Sequence, residues 1–237
     1  GQWDREEVHK VFDALQFRVL RDRLYATLAT PEPEAESGFE VEGGPLGADE
    51  LVGWLAEHAT RGVRLGLSVA GSWGRGTGIV TGIALAAPDG TGAYLDPNQL
   101  TKYDEQALGA WLADGEYPKS LHDGKGPLLA LAAHGWPLEG LSSDTALSFY
   151  LAWPGQRGLD LGDLALRYLH RELRADDSGG DQAQLSLDGF DEDGAALNQI
   201  VRARAVLDLA EALDHDLEER GATKLLADVE LPLIGVL

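Results

Sequence analysis

Val63-Arg-Leu-Gly-Leu-Ser-Val-Ala-Gly71 decides the fold. Val63, Leu65, Leu67 and Val69 alternate with Arg64, Gly66 and Ser68, the period of a strand with one face in a core. A glycine-rich stretch, Gly71 to Gly78, reads as a turn into a second strand, Ile79 to Ala87, and Pro88-Asp-Gly90 as another turn. Gly92 to Leu95 reads as a third strand, which completes an antiparallel meander.

Upstream, Asp49 to His58 reads as a helix with Leu51, Trp54 and Leu55 on one face. Downstream, Glu105–Ala113, Pro127–His134, Thr145–Ala152 and Leu161–Leu173 read as helices, with Lys119–His122 as a short strand. Residues 175–195 hold seven acids, four Gly and no Lys or Arg, and read as a solvated loop. A long helix follows, from about Leu197 to Arg220, with Gly221 as its stop. At the N-terminus, residues 3–28 carry an apolar stripe of Val8, Val11, Phe12, Leu15, Val19 and Leu20 at helical spacing. Pro31-Glu-Pro-Glu-Ala-Glu-Ser-Gly38 then reads as an extended, solvated linker.

The chain has 237 residues, 44% hydrophobic and 25% charged, enough for one sizeable core plus an appendage. Its longest apolar stretches, such as Ile79 to Ala87, fall short of the roughly 20 residues a membrane-spanning helix needs. There is no Cys, hence no disulfide framework and no thiolate metal site. There is no Met, even at position 1, so the chain reads as a piece of a longer protein. The net charge of −21 repels phosphate backbones and removes the electrostatic term of non-specific nucleic-acid binding.

Three motifs invite chemistry. Gly71-Ser-Trp-Gly-Arg-Gly-Thr-Gly78 looks like a phosphate loop, yet it leads into a strand rather than a helix and lacks Gly-Lys-Ser/Thr; a hairpin is the better reading. Asp188-Gly-Phe-Asp-Glu-Asp-Gly194 looks like a calcium loop. With Gly194 at the sixth position, the first falls on Gly189 and the twelfth on Ile200, where a bidentate Glu is needed. The six His are scattered; His122 and His170 read as ordinary surface or core residues.

Several segments in order resemble bacterial DNA polymerase I. Leu15-Gln-Phe-Arg-Val-Leu-Arg-Asp-Arg-Leu24 is similar to the tail of its 5′-nuclease domain. Thr81-Gly-Ile-Ala-Leu-Ala86 with Gly92-Ala-Tyr-Leu95 resembles the strand pair of its 3′→5′ exonuclease domain. Ser143-Asp-Thr-Ala-Leu147, then Leu159 to Leu169, resembles that domain's helical segments, and Val229 to Leu237 its junction to the polymerase domain. The Ala/Gly/Leu/Asp-rich style is similar to actinobacterial versions. The resemblance implies an α/β, ribonuclease H-like mixed sheet flanked by helices. It also implies four parts: residues 1–30 a helical tail, 31–46 an acidic Pro/Glu linker, 47–228 the exonuclease-like domain and 229–237 the start of the junction. The implied setting is cytoplasmic and nucleoid-associated, with the polymerase and 5′-nuclease domains of the same chain as partners.

Active relatives, by the same resemblance, hold two divalent metals, expected to be Mg²⁺, on four carboxylates, with a Tyr assisting the attacking water. The chemistry needs metals about 4 Å apart and oxygen ligands. The Asp-x-Glu pair of the first strand falls on Ser68 and Ala70, and no carboxylate stands between Arg64 and Pro88. In Asp123-Gly-Lys-Gly-Pro127, Pro127 takes the place of the third Asp. In Gln199-Ile-Val-Arg-Ala203, Gln199 replaces the Tyr and Ala203 the last Asp, with Arg202 and Arg204 flanking it. These five degenerate positions imply a domain without cofactor or catalytic residues, a structural spacer. Two alternatives stand beside it: a residual nuclease using Asp123 and Asp144, and a strand-guiding module with Arg61, Arg64, Arg75 and Lys125 as a local basic patch. Asp144 precedes a helix and is a natural N-cap.

Overall fold

The computed structural model describes residues 38–74, 77–156, 158–173 and 192–234. All fall in the second of two units into which the chain divides, Glu36–Leu237. The readings of residues 3–28 as a helix and of 31–37 as linker lie outside the described residues, as do those of Arg75 and of most of the acidic loop.

The strand alternation read from residues 63–69 becomes the centre of a six-stranded mixed sheet. Its strands are β1 (Glu42–Pro45), β2 (Leu65–Gly74), β3 (Thr77–Ala86), β4 (Thr91–Leu95), β5 (Lys119–Leu121) and β6 (Leu141–Asp144), in the order β1-β4-β3-β2-β5-β6. β2, β3 and β4 form the antiparallel meander, with Val69 opposite Ile83 and Ala84 opposite Tyr94. β5 and β6 extend it in parallel on one side, and β1 runs parallel to β4 at the other edge.

Two strand readings are corrected. β1 lies inside the stretch 31–46 assigned to the linker. Glu42-Gly-Gly-Pro45 has no apolar alternation to announce it; backbone pairing with Thr91–Tyr94 makes it a strand. Gly43 permits this, because a Cβ there would collide with the Gly92 carbonyl. The stretch Gly71–Gly78 is mostly strand rather than turn, since β2 runs to Gly74 and β3 begins at Thr77. Its glycines serve close approach: a Cβ on Gly71 would strike the Ile79 carbonyl, and one on Gly78 the Ala130 backbone. The register shifts between Ala70 and Gly71, a bulge that bends the hairpin.

Because side chains alternate along a strand, the sheet has two distinct faces. One carries Leu65, Leu67, Val69, Ile83 and Leu85. It buries them under α1 (Leu51–His58), α2 (Lys102–Leu112) and α3 (Lys125–Ala133) through Leu51, Trp54, Leu108, Trp111, Leu112, Ala130 and Leu131. Asp104 of α2 accepts from the Leu51 and Asp49 amides and so caps α1 from a neighbouring helix. The other face is built of small residues, Gly66, Ser68, Ala84 and Ala86.

The helix on that second face is α6 (Glu192–Arg220), placed after α4 (Thr145–Ala152) and α5 (Leu161–Leu169) in the chain. Ile200 and Ala203 meet Ala84 and Ala86. On its other side, Ala205, Val206, Leu209 and Leu213 pack against Phe149 of α4 and Leu161, Leu164 and Ala165 of α5. α6 begins five residues before the expected start, within the stretch read as a loop. It ends where expected: Gly221 is left-handed (φ 67°) and the Ala222 amide bonds back to Leu217. α5 stops at Leu169, not Leu173, because His170 turns left-handed (φ 54°). A final helical run, α7 (Thr223–Leu225), a π-helical turn (Leu226–Glu230) and α8 (Leu231–Ile234), occupies residues read as the junction.

Lys119 is fully buried at the start of β5. Its ammonium donates to the carbonyls of Asp114 (2.8 Å), Tyr117 (2.8 Å) and Glu139 (3.0 Å) and lies 4.7 Å from the Trp111 ring centroid. No helix of the described residues is long and apolar enough to cross a membrane.

Candidate functional site

The candidate site is where the small-residue face of β2 meets the first turns of α6. Ser68 points toward α6, and its hydroxyl donates to the Gln199 side-chain oxygen at 2.7 Å. One strand step away, Gly66 sits directly under the helix. A Cβ there would collide with the Ala203 carbonyl oxygen and lie 2.8 Å from Leu207 Cβ. Ala70 is half-buried just before the bulge. Its partner Gly82 leaves room for the Tyr94 ring, which a Cβ would strike.

The structure thus joins Ser68 to Gln199, while Ala70, Pro127 and Ala203 bring no polar side-chain atom. Ala203 is fully buried with Ala84, Ala86 and Ile200. Pro127 is buried in the first turn of α3, next to Gly126, and the Trp73 indole lies against Gly126 so closely that a Cβ is barred.

Beside this face lies a polar cluster at the ends of β5 and β6. The Asp144 carboxylate is buried and accepts four backbone N–H groups. Asp123 (3.2 Å), Ala146 (3.0 Å) and Leu147 (3.3 Å) donate to Oδ1, and Gly124 (2.7 Å) to Oδ2. Two of those donors form the cap of α4 read from the sequence; the other two bind the β5–α3 loop, where Asp123 is left-handed (φ 50°). His122 Nδ1 lies 2.8 Å from the Thr145 hydroxyl. Burial pushes its imidazole below the ordinary 6.5. Asp144, Asp123 and Asp160 oppose that shift, and Arg202 reinforces it. Asp144 thus ties the start of α4 to the β5–α3 loop.

Two residues of the candidate basic patch are engaged with acids. Arg61 lies 3.5 Å from Asp114 and over the Tyr117 ring. Arg64 donates to Ser142 (2.8 Å) and to Asp214 (2.6 Å). Lys125 opens α3, and Arg75 is outside the described residues. Sequence reasoning missed the Ser68–Gln199 bond and the Gly66 seat. The signal available was the run of small residues Gly66, Ser68 and Ala70 on one strand phase, which marks a close helix approach.

Residues 77–178 match the family model of the DNA polymerase I ribonuclease H-like domain. The DNA polymerase I of Mycobacterium tuberculosis is 52% identical over 99% of this chain. The chain belongs to the exonuclease-like domain family of bacterial DNA polymerase I. The DNA polymerase I of Geobacillus stearothermophilus is 30% identical over 99% of the chain. The chain spans about a quarter of the length of these relatives, 26% and 25%. Among solved structures, Mycobacterium smegmatis Pol1 in complex with DNA primer-template and dNTP superposes with a TM-score of 0.70 at 43% identity, over 81% of this chain and 30% of that one. Escherichia coli RNase D, at 18% identity and TM-score 0.63 over 82% of this chain and 50% of that one, shares the fold. So does Brucella melitensis NrnC with bound Mg²⁺, at 16% identity and TM-score 0.56 over 79% of this chain and 86% of that one.

A polymerase I exonuclease-like domain invites the question whether this chain fits a divalent cation. Hard cations need several oxygen ligands. Ser68, Ala70, Pro127 and Ala203 offer a single hydroxyl, whose hydrogen goes to Gln199. Among the described residues, no group of three or more His, Asp and Glu is arranged to hold a metal. These four positions do not fit the cation.

Proposed function

We propose that this chain is a non-catalytic exonuclease-like domain of a DNA polymerase I, a structural spacer between its 5′-nuclease and polymerase parts. The observation that carries the reading is the chemistry of the small-residue face. Where two metals need carboxylates, β2 carries Ser68 and Ala70, α6 carries Ala203 and α3 carries Pro127. Ser68 is satisfied by Gln199, and Ala203 is sealed under α6. A carboxylate at Ala203 would be buried among Ala84, Ala86 and Ile200 with no partner, which costs several kcal/mol. The parent protein would be a cytoplasmic replication and repair polymerase, and DNA would be held by its other parts.

The test uses the whole polymerase containing this domain and a 5′-labelled primer on a template, without nucleotides, in Mg²⁺ or Mn²⁺. The primer is expected to keep its length. Shortening from the 3′ end that is abolished by a chelator would overturn the reading.

A further inference from the structure

We propose that the Ser68–Gln199 hydrogen bond, closed over the Gly66 seat, is a metal-independent clasp that fixes α6 on the sheet. Its independence of a cation rests on the reading above; the clasp itself rests on geometry. α6 meets the sheet through Gly66, Ala84, Ala86, Ile200 and Ala203, mostly small groups. Apolar burial scales with area, so an Ala- and Gly-built interface holds a long helix weakly per turn. Its advantage is closeness: the Ala203 carbonyl rests where a side chain of residue 66 would be.

That closeness makes the polar ties matter. Ser68 is 9% exposed and Gln199 half-buried, so the bond is partly shielded from water and loss of Gln199 leaves the Ser68 hydroxyl without this partner. Further along the same helix, Arg204 donates to the Ala87 carbonyl (3.2 Å) and Asp214 accepts from Arg64 (2.6 Å). The three ties join α6 to the sheet at residues 199, 204 and 214. None requires a cation ligand. Of these three, Gln199 lies nearest the start of α6, so its loss bears most on the early turns of the helix.

The experiment compares the full chain with Ser68→Ala, Gln199→Ala and the double variant. It reads thermal unfolding and hydrogen exchange of α6 amides, each in excess EDTA and in Mg²⁺. Each single change is expected to lower protection of residues 196–206 about fivefold, corresponding to roughly 1 kcal/mol for a lost hydrogen bond. The double variant should lose no more than the worse single variant, and EDTA should change nothing. Additive losses, or protection unchanged in Gln199→Ala, would sink the clasp. Gln199 is half-buried, so its truncation gives a reading even if Ser68→Ala fails to fold. A metal-dependent gain in protection of the unaltered chain would overturn metal independence. Primer shortening by the whole polymerase would refute the proposed function and leave a non-additive double variant standing.

Discussion

Replacing Gly66 by Ala is the most direct probe of how the domain is built. The added Cβ would meet the Ala203 carbonyl oxygen head-on, with the carbonyl carbon at 3.1 Å and Leu207 Cβ at 2.8 Å. The obstacle is helix backbone, which cannot rotate aside, and β2 is held between β3 and β5. α6 must therefore lift. Overpacking of this kind costs about 1–3 kcal/mol, and lifting the helix also strains the 2.7 Å Ser68–Gln199 bond, worth about 1 kcal/mol. A total near 3 kcal/mol lowers the midpoint by roughly 6–12 °C, at about 2–4 °C per kcal/mol for a domain of this size. The control is Gly53→Ala in α1, where the glycine is exposed, sits mid-helix and has nothing within 4 Å of a new Cβ. That change removes the helix penalty of glycine, about 0.5–1 kcal/mol, and should raise the midpoint by roughly 1–4 °C. Far-UV circular dichroism melts read both. A Gly66→Ala protein melting within about 1 °C of the parent would refute the close seating of α6 on β2.

Two further outcomes follow from buried polar groups. Asp144→Ala removes the acceptor of four backbone N–H groups at once and should cost about 3 kcal/mol, read by urea unfolding; a loss below about 1 kcal/mol would show that those amides find other partners. Burial pulls the Lys119 ammonium down from 10.5 to about 8, against the opposing pull of Asp114 and Glu139. The folded chain then releases this proton before the unfolded chain does, so between pH 8 and 10.5 the unfolded state binds more protons and stability rises with pH, by on the order of 3 kcal/mol. Lys119→Met should lack this rise in a pH series of urea melts; identical slopes in the two proteins would refute it.

The seating of α6 explains why a chain of net charge −21 tolerates an acid-free ribbon at its centre. Residues 64–88 supply β2 and β3, whose two faces are both covered over much of their length. Carboxylates on either face would be desolvated without a counter-charge. The acids accumulate elsewhere, and several serve as caps: Asp144 on α4, Asp160 on α5 and Asp104 on α1.

Local physics settled a large part of this protein from sequence alone. The period-two pattern of Leu65, Leu67 and Val69 specified β2 and its core face, because alternation is a property of the strand itself. The cap at Asp144 and the stop at Gly221 were legible for the same reason: each depends on bonds within a few residues. So was the absence of carboxylates at Ser68, Ala70, Pro127 and Ala203, which is a matter of residue identity. What needed tertiary structure was everything set by partners distant in the chain. β1 exists through Thr91–Tyr94, and the glycines of 71–78 serve neighbouring backbone rather than a turn. Asp144 is occupied partly by the amides of Asp123 and Gly124, some twenty residues earlier. Ser68 and Gln199 are 131 positions apart, and only the packing of α6 over Gly66 brings a hydroxyl and an amide, each unremarkable by itself, to 2.7 Å.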